Sequence, residues 1–326
     1  MKPHGYGPHM PDTMSNPLSP GAAEAIVRRI HPTASVTEVL TRTGGELSTV
    51  VEVRCARPIE PVIIKSYAEE HHWRQEKEIY VYRLLEEHGI HCVPTILHSE
   101  GAHTVMTRIE GQPLSATSGD LDAPAMARIY EQIGALLAEL HRIPQQAYGY
   151  IVTGILDPEP TNTDYMQRQF AKKLAEFSER GGDPALREAA EARAREGAAL
   201  FAHCRQPVLC HNDFHEGNVL VREEPDGWKV TGFIDVENAT AADPLIDLAK
   251  TDYYSIRGDR NRAAALRRGY GALPADWAER IDLYRLYHAL ELWDWFASIG
   301  QTDPLAGIAE DIGLMTAPTG GPVPGR

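Results

Sequence analysis

Hydrophobic and polar positions alternate with a period of two over residues 35–53, interrupted once by Thr43-Gly44-Gly45-Glu46-Leu47-Ser48-Thr49. Successive side chains of a strand face opposite sides, so the pattern predicts two strands joined by a turn. Residues 22–30, before them, carry helical spacing. Pro61-Val62-Ile63-Ile64-Lys65-Ser66-Tyr67 predicts a further short strand, and residues 73–88 a helix that Gly89 stops. Residues 94–97 and 103–107 are again strand-like, and a Gly/Pro break follows at Glu110-Gly111-Gln112-Pro113. The expected product is a small, mostly antiparallel sheet with one long helix inserted.

Beyond the break the period becomes helical. Residues 125–141 place Ile129, Ile133, Leu136, Leu137 and Leu140 on one face. Residues 165–180, 185–204, 245–254, 261–270 and 278–299 also read as helices, with a strand–loop–strand over residues 208–235 between them. The expected class is therefore α+β in two lobes. Residues 21–109 form the sheet-rich lobe and 110–316 the larger, mainly helical one; 1–20 and 317–326 are tails.

Composition narrows the setting. At 326 residues the chain can build two lobes with separate cores. No apolar run approaches the ~20 residues that cross a bilayer, and residues 1–20 lack the apolar centre of a secretion signal. Both point to the cytoplasm, without a membrane partner, as a monomer or dimer. Cys55, Cys92, Cys204 and Cys210 have no metal-binding spacing and read as reduced, half-buried residues. A net charge of −14 argues against a nucleic-acid partner. The same charge either attracts a cationic second substrate or serves solubility alone.

The chemistry sits in Val208-Leu209-Cys210-His211-Asn212-Asp213-Phe214-His215-Glu216-Gly217-Asn218-Val219-Leu220 and in Gly232-Phe233-Ile234-Asp235. Asp213 and Asn218 are five residues apart, and Asp235 follows seventeen residues after Asn218, close enough for one hairpin to carry all three. Asp213 can accept a proton from, or orient, a hydroxyl. Asn218 offers a neutral oxygen and Asp235 an anionic one, the donors a magnesium ion bridging phosphates requires. A polar turn with an Asx hydrogen bond is the bland alternative, and the coupled Asp235 weakens it. His211 and His215 are a metal pair only on a helix, which this turn-rich segment is not. His211 reads instead as a brace for the loop backbone.

His211-x-Asp213-x4-Asn218 followed by Ile234-Asp235 resembles the catalytic loop and metal aspartate of aminoglycoside phosphotransferases and choline kinases, which share a protein-kinase-like fold. The resemblance runs from about Thr43 to Tyr254. It implies that Lys65 contacts the nucleotide's α/β-phosphates with a glutamate of the next helix as its partner. Glu78 is favoured over Glu76 because it shares a stripe with Tyr82 and Leu85. It also implies that the 43–49 turn covers the phosphates, with Ser48 in contact. Thr107 and Ile109, in a hinge-like segment, would meet adenine through backbone groups. Asn212 stands where the antibiotic enzymes usually have glycine and is closer to choline kinases. Asp243-Pro244-Leu245-Ile246-Asp247-Leu248-Ala249 matches the antibiotic enzymes, with Asp247 bracing the loop.

The implied activity is γ-phosphoryl transfer from ATP or GTP, with Mg2+, to a hydroxyl of a small, cationic acceptor such as an aminoglycoside. A choline-like metabolite kinase is the alternative enzyme. A kinase-like binding protein without catalysis is the alternative of another class, and the complete set Lys65, Asp213, Asn218 and Asp235 speaks against it. Acceptor candidates are Asp252 and a stripe on the last long helix, Tyr284, Tyr287, Glu291 and Asp294. Acids there would suit an aminoglycoside, and aromatics a quaternary ammonium. Aromatics in the core with solvated acids is the other reading of the same residues.

Overall fold

The computed structural model describes residues 18–42 and 48–317. Most of both expected tails, and residues 43–47 of the turn, lie outside the described residues. The chain is α+β and divides into two compact units. One comprises Met1–Glu110 with Gly232–Glu237, the other Gly111–Thr231 with Asn238–Arg326. The segment 232–237, grouped by the sequence with the helical lobe, thus packs with the first unit.

The first unit starts with α1 (Pro20–Val27), capped by Ser19, whose hydroxyl accepts the Ala22 N–H at 3.2 Å. Strands β1 (Val36–Arg42), β2 (Ser48–Cys55) and β3 (Val62–Tyr67) follow, then α2 (His72–Glu87), β4 (Ile96–Glu100) and β5 (His103–Thr107). The sheet order is β1-β2-β3-β5-β4, and each neighbouring pair is antiparallel. The register sets Val51 opposite Ile64 and Ile64 opposite Val105. These side chains, with Val53 and Val62, bury against Ala23 and Val27 of α1. Lys65 is one residue out of phase with Ile64, so the pleat turns it to the other face. Gly89 (φ 79°) ends α2 in the left-handed conformation a side chain would strain.

The second unit opens with β6 (Gln112–Pro113), α3 (Leu114–Thr117) and α4 (Ala123–Leu140). The five apolar residues foreseen on one face of α4 are all buried. Strands β7 (Tyr148–Ile151) and β8 (Ile155–Glu159) precede α5 (Asn162–Glu179). The single helix expected over 185–204 is two, α6 (Pro184–Glu196) and α7 (Ala198–Phe201). They part at Gly197, where a Cβ would lie 2.5 Å from the side chain of Leu283. The catalytic region contributes β9 (Val208–Cys210), β10 (Val219–Glu224), β11 (Gly227–Phe233) and β12 (Thr240–Ala242). Helices α8 (Leu245–Thr251), α9 (Arg260–Tyr270), α10 (Trp277–Ser298) and α11 (Leu305–Thr316) complete the chain.

The strand–loop–strand is not one hairpin. β9 pairs with β12 in the sheet β8-β7-β12-β9, whereas β10 lies between β11 and β6 in another. The loop carrying Asp213 and Asn218 therefore joins two sheets, and only β10 and β11 form a hairpin. Behind it, α4 and α9 pack so closely that a Cβ on Gly134 would meet the Leu266 carbonyl oxygen at 2.1 Å. No helix among the described residues is long and apolar enough to cross a membrane.

Candidate active site

In the first unit the polar centre is Lys65. It is buried, and its Nζ lies 3.1 Å from Glu78 Oε1 and 3.1 Å from Asp235 Oδ1. Burial works against the ammonium, yet Asp235 and Glu78 hold it well above the ordinary lysine value. Glu78, the glutamate favoured by the helical stripe, is buried and also accepts from the Tyr67 hydroxyl, while Glu76 is exposed. Asp235 follows β11 at φ 66°, and its N–H donates to the Tyr82 hydroxyl at 3.1 Å. Glu237 is an acid the motif did not single out, 3.7 Å from Lys65 and 3.5 Å from Arg74. Burial, with the charge of Asp235 beside it, pushes its carboxyl up to about 7.

The other nucleotide-side candidates lie in the same unit. Ser48 is buried at the start of β2, opposite Tyr67. Thr107 ends β5, with its N–H on the Thr95 carbonyl at 2.9 Å and its hydroxyl accepting the Thr95 N–H at 2.9 Å. Ile109 Cγ2 lies 3.3 Å from where a Cβ on Gly232 would stand, and the Cys92 carbonyl oxygen, at 2.2 Å, is what keeps that position small.

In the second unit the loop from His211 to Asn218 is held from several sides. Asp213 N–H donates to His211 Nδ1 at 3.2 Å, giving His211 the bracing role its sequence context suggested. Asn218 Nδ2 donates to the Asp213 carbonyl at 3.0 Å, and Asn238 Nδ2 to Asp213 Oδ2 at 3.3 Å. The side-chain oxygen of Asn218 is a neutral donor of the kind hard cations take. Asp213 Oδ1 is 3.5 Å from Lys250 Nζ and 3.6 Å from His215 Nε2. Burial raises the cost of its charge, but His215, Lys250 and His211 hold the carboxyl below the usual aspartate value. Glu216 is clamped by Tyr130 of α4 at 2.6 Å and Arg262 of α9 at 3.1 Å. The close approach of those two helices therefore bears directly on the loop.

Asn212 has φ 59°, the left-handed region that asparagine tolerates and glycine occupies freely. Its N–H donates to Asp247 Oδ1 at 2.6 Å, and among the described residues its own side-chain oxygen has no hydrogen-bond partner. The backbone here thus accommodates asparagine and glycine alike. Asn212→Gly should leave turnover within about threefold, because both residues adopt this conformation. A loss beyond tenfold in a coupled nucleoside-diphosphate assay would give the side chain a chemical role.

The acceptor candidates are not brought together as an open acidic wall. Asp252 is ion-paired with Arg285, and Asp294 with Arg180 and with Lys173 at 3.1 Å. Tyr287 is core, edge-on to Phe170 with ring centroids 5.7 Å apart. Glu291 lies 2.7 Å from Lys250 Nζ. Helical spacing put Tyr284, Tyr287, Glu291 and Asp294 on one stripe of α10, but it could not show that arginines and lysines from other elements reach its acids. Lys250 went unnoticed because neither of its acidic partners is near it in sequence. The ring of His215 stacks on Tyr254 with centroids 6.2 Å apart, which puts an aromatic wall beside Asp213.

A family model described as a phosphotransferase enzyme family matches residues 38–283. Among solved structures, a thermostable mutant of aminoglycoside phosphotransferase APH(4)-Ia, in ternary complex with ADP and hygromycin B, superposes with TM-score 0.69 at 16% identity. The match covers 90% of this chain and 98% of that one. The GDP and kanamycin complex of APH(2")-IIIa gives 0.65 at 15%, covering 89% and 97%. The streptomycin–ATP–APH(2")-IIa ternary complex gives 0.60 at 15%, covering 92% and 97%.

Proposed function

We propose, from the premise that the chain belongs to the phosphotransferase enzyme family, that it moves the γ-phosphoryl of ATP or GTP to a hydroxyl of a cationic antibiotic of the aminoglycoside kind. The observation that carries the reading is Asp213. Its carboxylate is kept ionised and fixed by Asn218 and Asn238 amides and a lysine, the state a group needs to orient a hydroxyl and take its proton. As the acceptor oxygen bonds to the γ-phosphorus and the bond to the β-phosphate oxygen breaks, that proton passes to Asp213 and the nucleoside diphosphate leaves.

Lys65, kept charged by Glu78 and Asp235, binds the α/β-phosphates. Ser48 contributes beside it. Thr107, whose N–H is committed to Thr95, meets adenine through its carbonyl, and Ile109 through its own backbone. Asn218 and Asp235 are the residues that would hold magnesium, which neutralises charge building on the phosphates. A cytoplasmic setting, where nucleotide is abundant, suits the ATP or GTP donor.

Relatives of the same fold were solved with hygromycin B, kanamycin and streptomycin, and the net charge of −14 suits a polycation. The pairing of Asp252 and Asp294 with the chain's own cations restricts which acids are left to greet one. The test is nucleoside-diphosphate release with Mg2+ and ATP or GTP against aminoglycosides, cyclic cationic peptides, macrolides and choline. Acceptor-stimulated release with an aminoglycoside is expected. Stimulation by choline alone would replace the antibiotic reading with the metabolite one.

A further inference from the structure

Lys250 is the one lysine of α8, and its side chain is only 5% exposed. Three groups face its ammonium: Glu291 Oε2 at 2.7 Å, Asp213 Oδ1 at 3.5 Å, and the ring of Tyr254 with its centroid at 4.2 Å. Burying a lysine is unfavourable unless partners answer its charge. Glu291 alone would satisfy that requirement, and it is fixed in turn by His288 Nδ1 at 3.0 Å. The second carboxylate is therefore the informative one, because it belongs to the loop that carries the chemistry. The two oxygens of Asp213 have different partners. Amides of Asn218 and Asn238 face Oδ2, whereas Lys250 and His215 face Oδ1.

We propose that Lys250, anchored by Glu291, is a positioning residue that holds Oδ1 of Asp213 and fixes the carboxylate's rotation. The assignment rests on the kinase reading above and deepens it. Without the ammonium, two neutral amides and a histidine would remain, and the carboxylate could turn about its Cβ–Cγ bond. The tether to Glu291 keeps the ammonium from following the carboxylate or forming a tighter pair that would block Oδ1. Tyr254 closes the third side, so the ammonium has one direction left to point.

Two measurements test the pairing and its consequence separately. The chain has seven lysines, so the Nζ signals of 15N-lysine-labelled protein can be assigned by loss of one signal in Lys250→Arg. Asp213→Asn should move the Lys250 signal, and so should Glu291→Gln. In kinetics, Lys250→Met should lower kcat about 10- to 100-fold, the scale of misplacing a reacting group, with nucleotide KM within about twofold. Lys250→Arg should restore part of that loss, which a purely structural role would not require. A Lys250 signal indifferent to Asp213→Asn, or an unchanged kcat in Lys250→Met, would overturn the proposal. If Lys250→Met does not fold, Lys250→Arg and Asp213→Asn still carry both readouts. If the wild-type chain phosphorylates nothing in the acceptor panel, the kinase reading fails by itself, and the Nζ signal still decides whether the pair exists.

Discussion

Asp213→Ala is expected to lower acceptor-dependent turnover by about 10²–10⁴-fold, the usual contribution of a positioned base, with nucleotide affinity nearly unchanged. The environment of Asp213 depresses its proton affinity, with His215, Lys250 and His211 outweighing the effect of burial. A base this weak cannot remove a hydroxyl proton at the outset. In the proposed reaction it orients the hydroxyl and receives the proton late, once bonding to phosphorus has made it acidic. The loss should thus appear in kcat for the acceptor reaction, while calorimetric binding of a non-hydrolysable nucleotide, which depends on Lys65 and its partners, persists. Asp213→Asn is the sharper control, since it keeps the volume and can still meet Asn218 and Asn238. Turnover within about threefold of wild type in both variants would remove Asp213 from the role.

What the sequence made legible was local. Lys65 stood out as a lysine within an apolar strand, and the family resemblance gave it a glutamate partner on the next helix. Helical phase then favoured Glu78 over Glu76. The base loop was readable because its residue types are spaced along one turn. Features closed by distant chain were not readable. Lys250 looks like an ordinary helical lysine until α10 brings Glu291 to it, and Asp252 looks free until Arg285 does the same. Strand β8 was missed because it is short and contains Pro158, which strand patterns exclude except at edges. It is an edge strand, pairing with β7 alone. The α6–α7 break was missed because a lone glycine does not by itself end a helical pattern, and the packing of Leu283 against Gly197 comes from distant chain. Asn212 shows the converse, a departure in sequence whose left-handed backbone angle, which asparagine and glycine both tolerate, only the structure reveals.

Asp247→Ala is expected to remove about 3–5 kcal/mol of folding stability, the range for leaving a buried charged network without one member. Asp247 is fully buried and accepts the N–H of His211 at 2.8 Å, the N–H of Asn212 at 2.6 Å and a hydrogen bond from His141 Nε2 at 3.1 Å. Alanine leaves two backbone donors without partners at the root of the catalytic loop, so activity should fall together with stability. Burial raises the cost of the charge, but His141 and His211 hold the carboxyl below the usual aspartate value. A carboxylate depressed in the folded state contributes its full stabilisation above the unfolded value, about 3.9, and loses it as pH falls through the folded one. The gap in urea midpoint between wild type and variant should accordingly be constant from neutral pH to about 4 and narrow only below that. Asp247→Asn, which preserves shape and one acceptor oxygen, should lose less stability but show the same flattening. A loss under about 1 kcal/mol for the alanine variant would mean that β9 and β10 hold the loop by themselves, and that the aspartate is there for something other than bracing it.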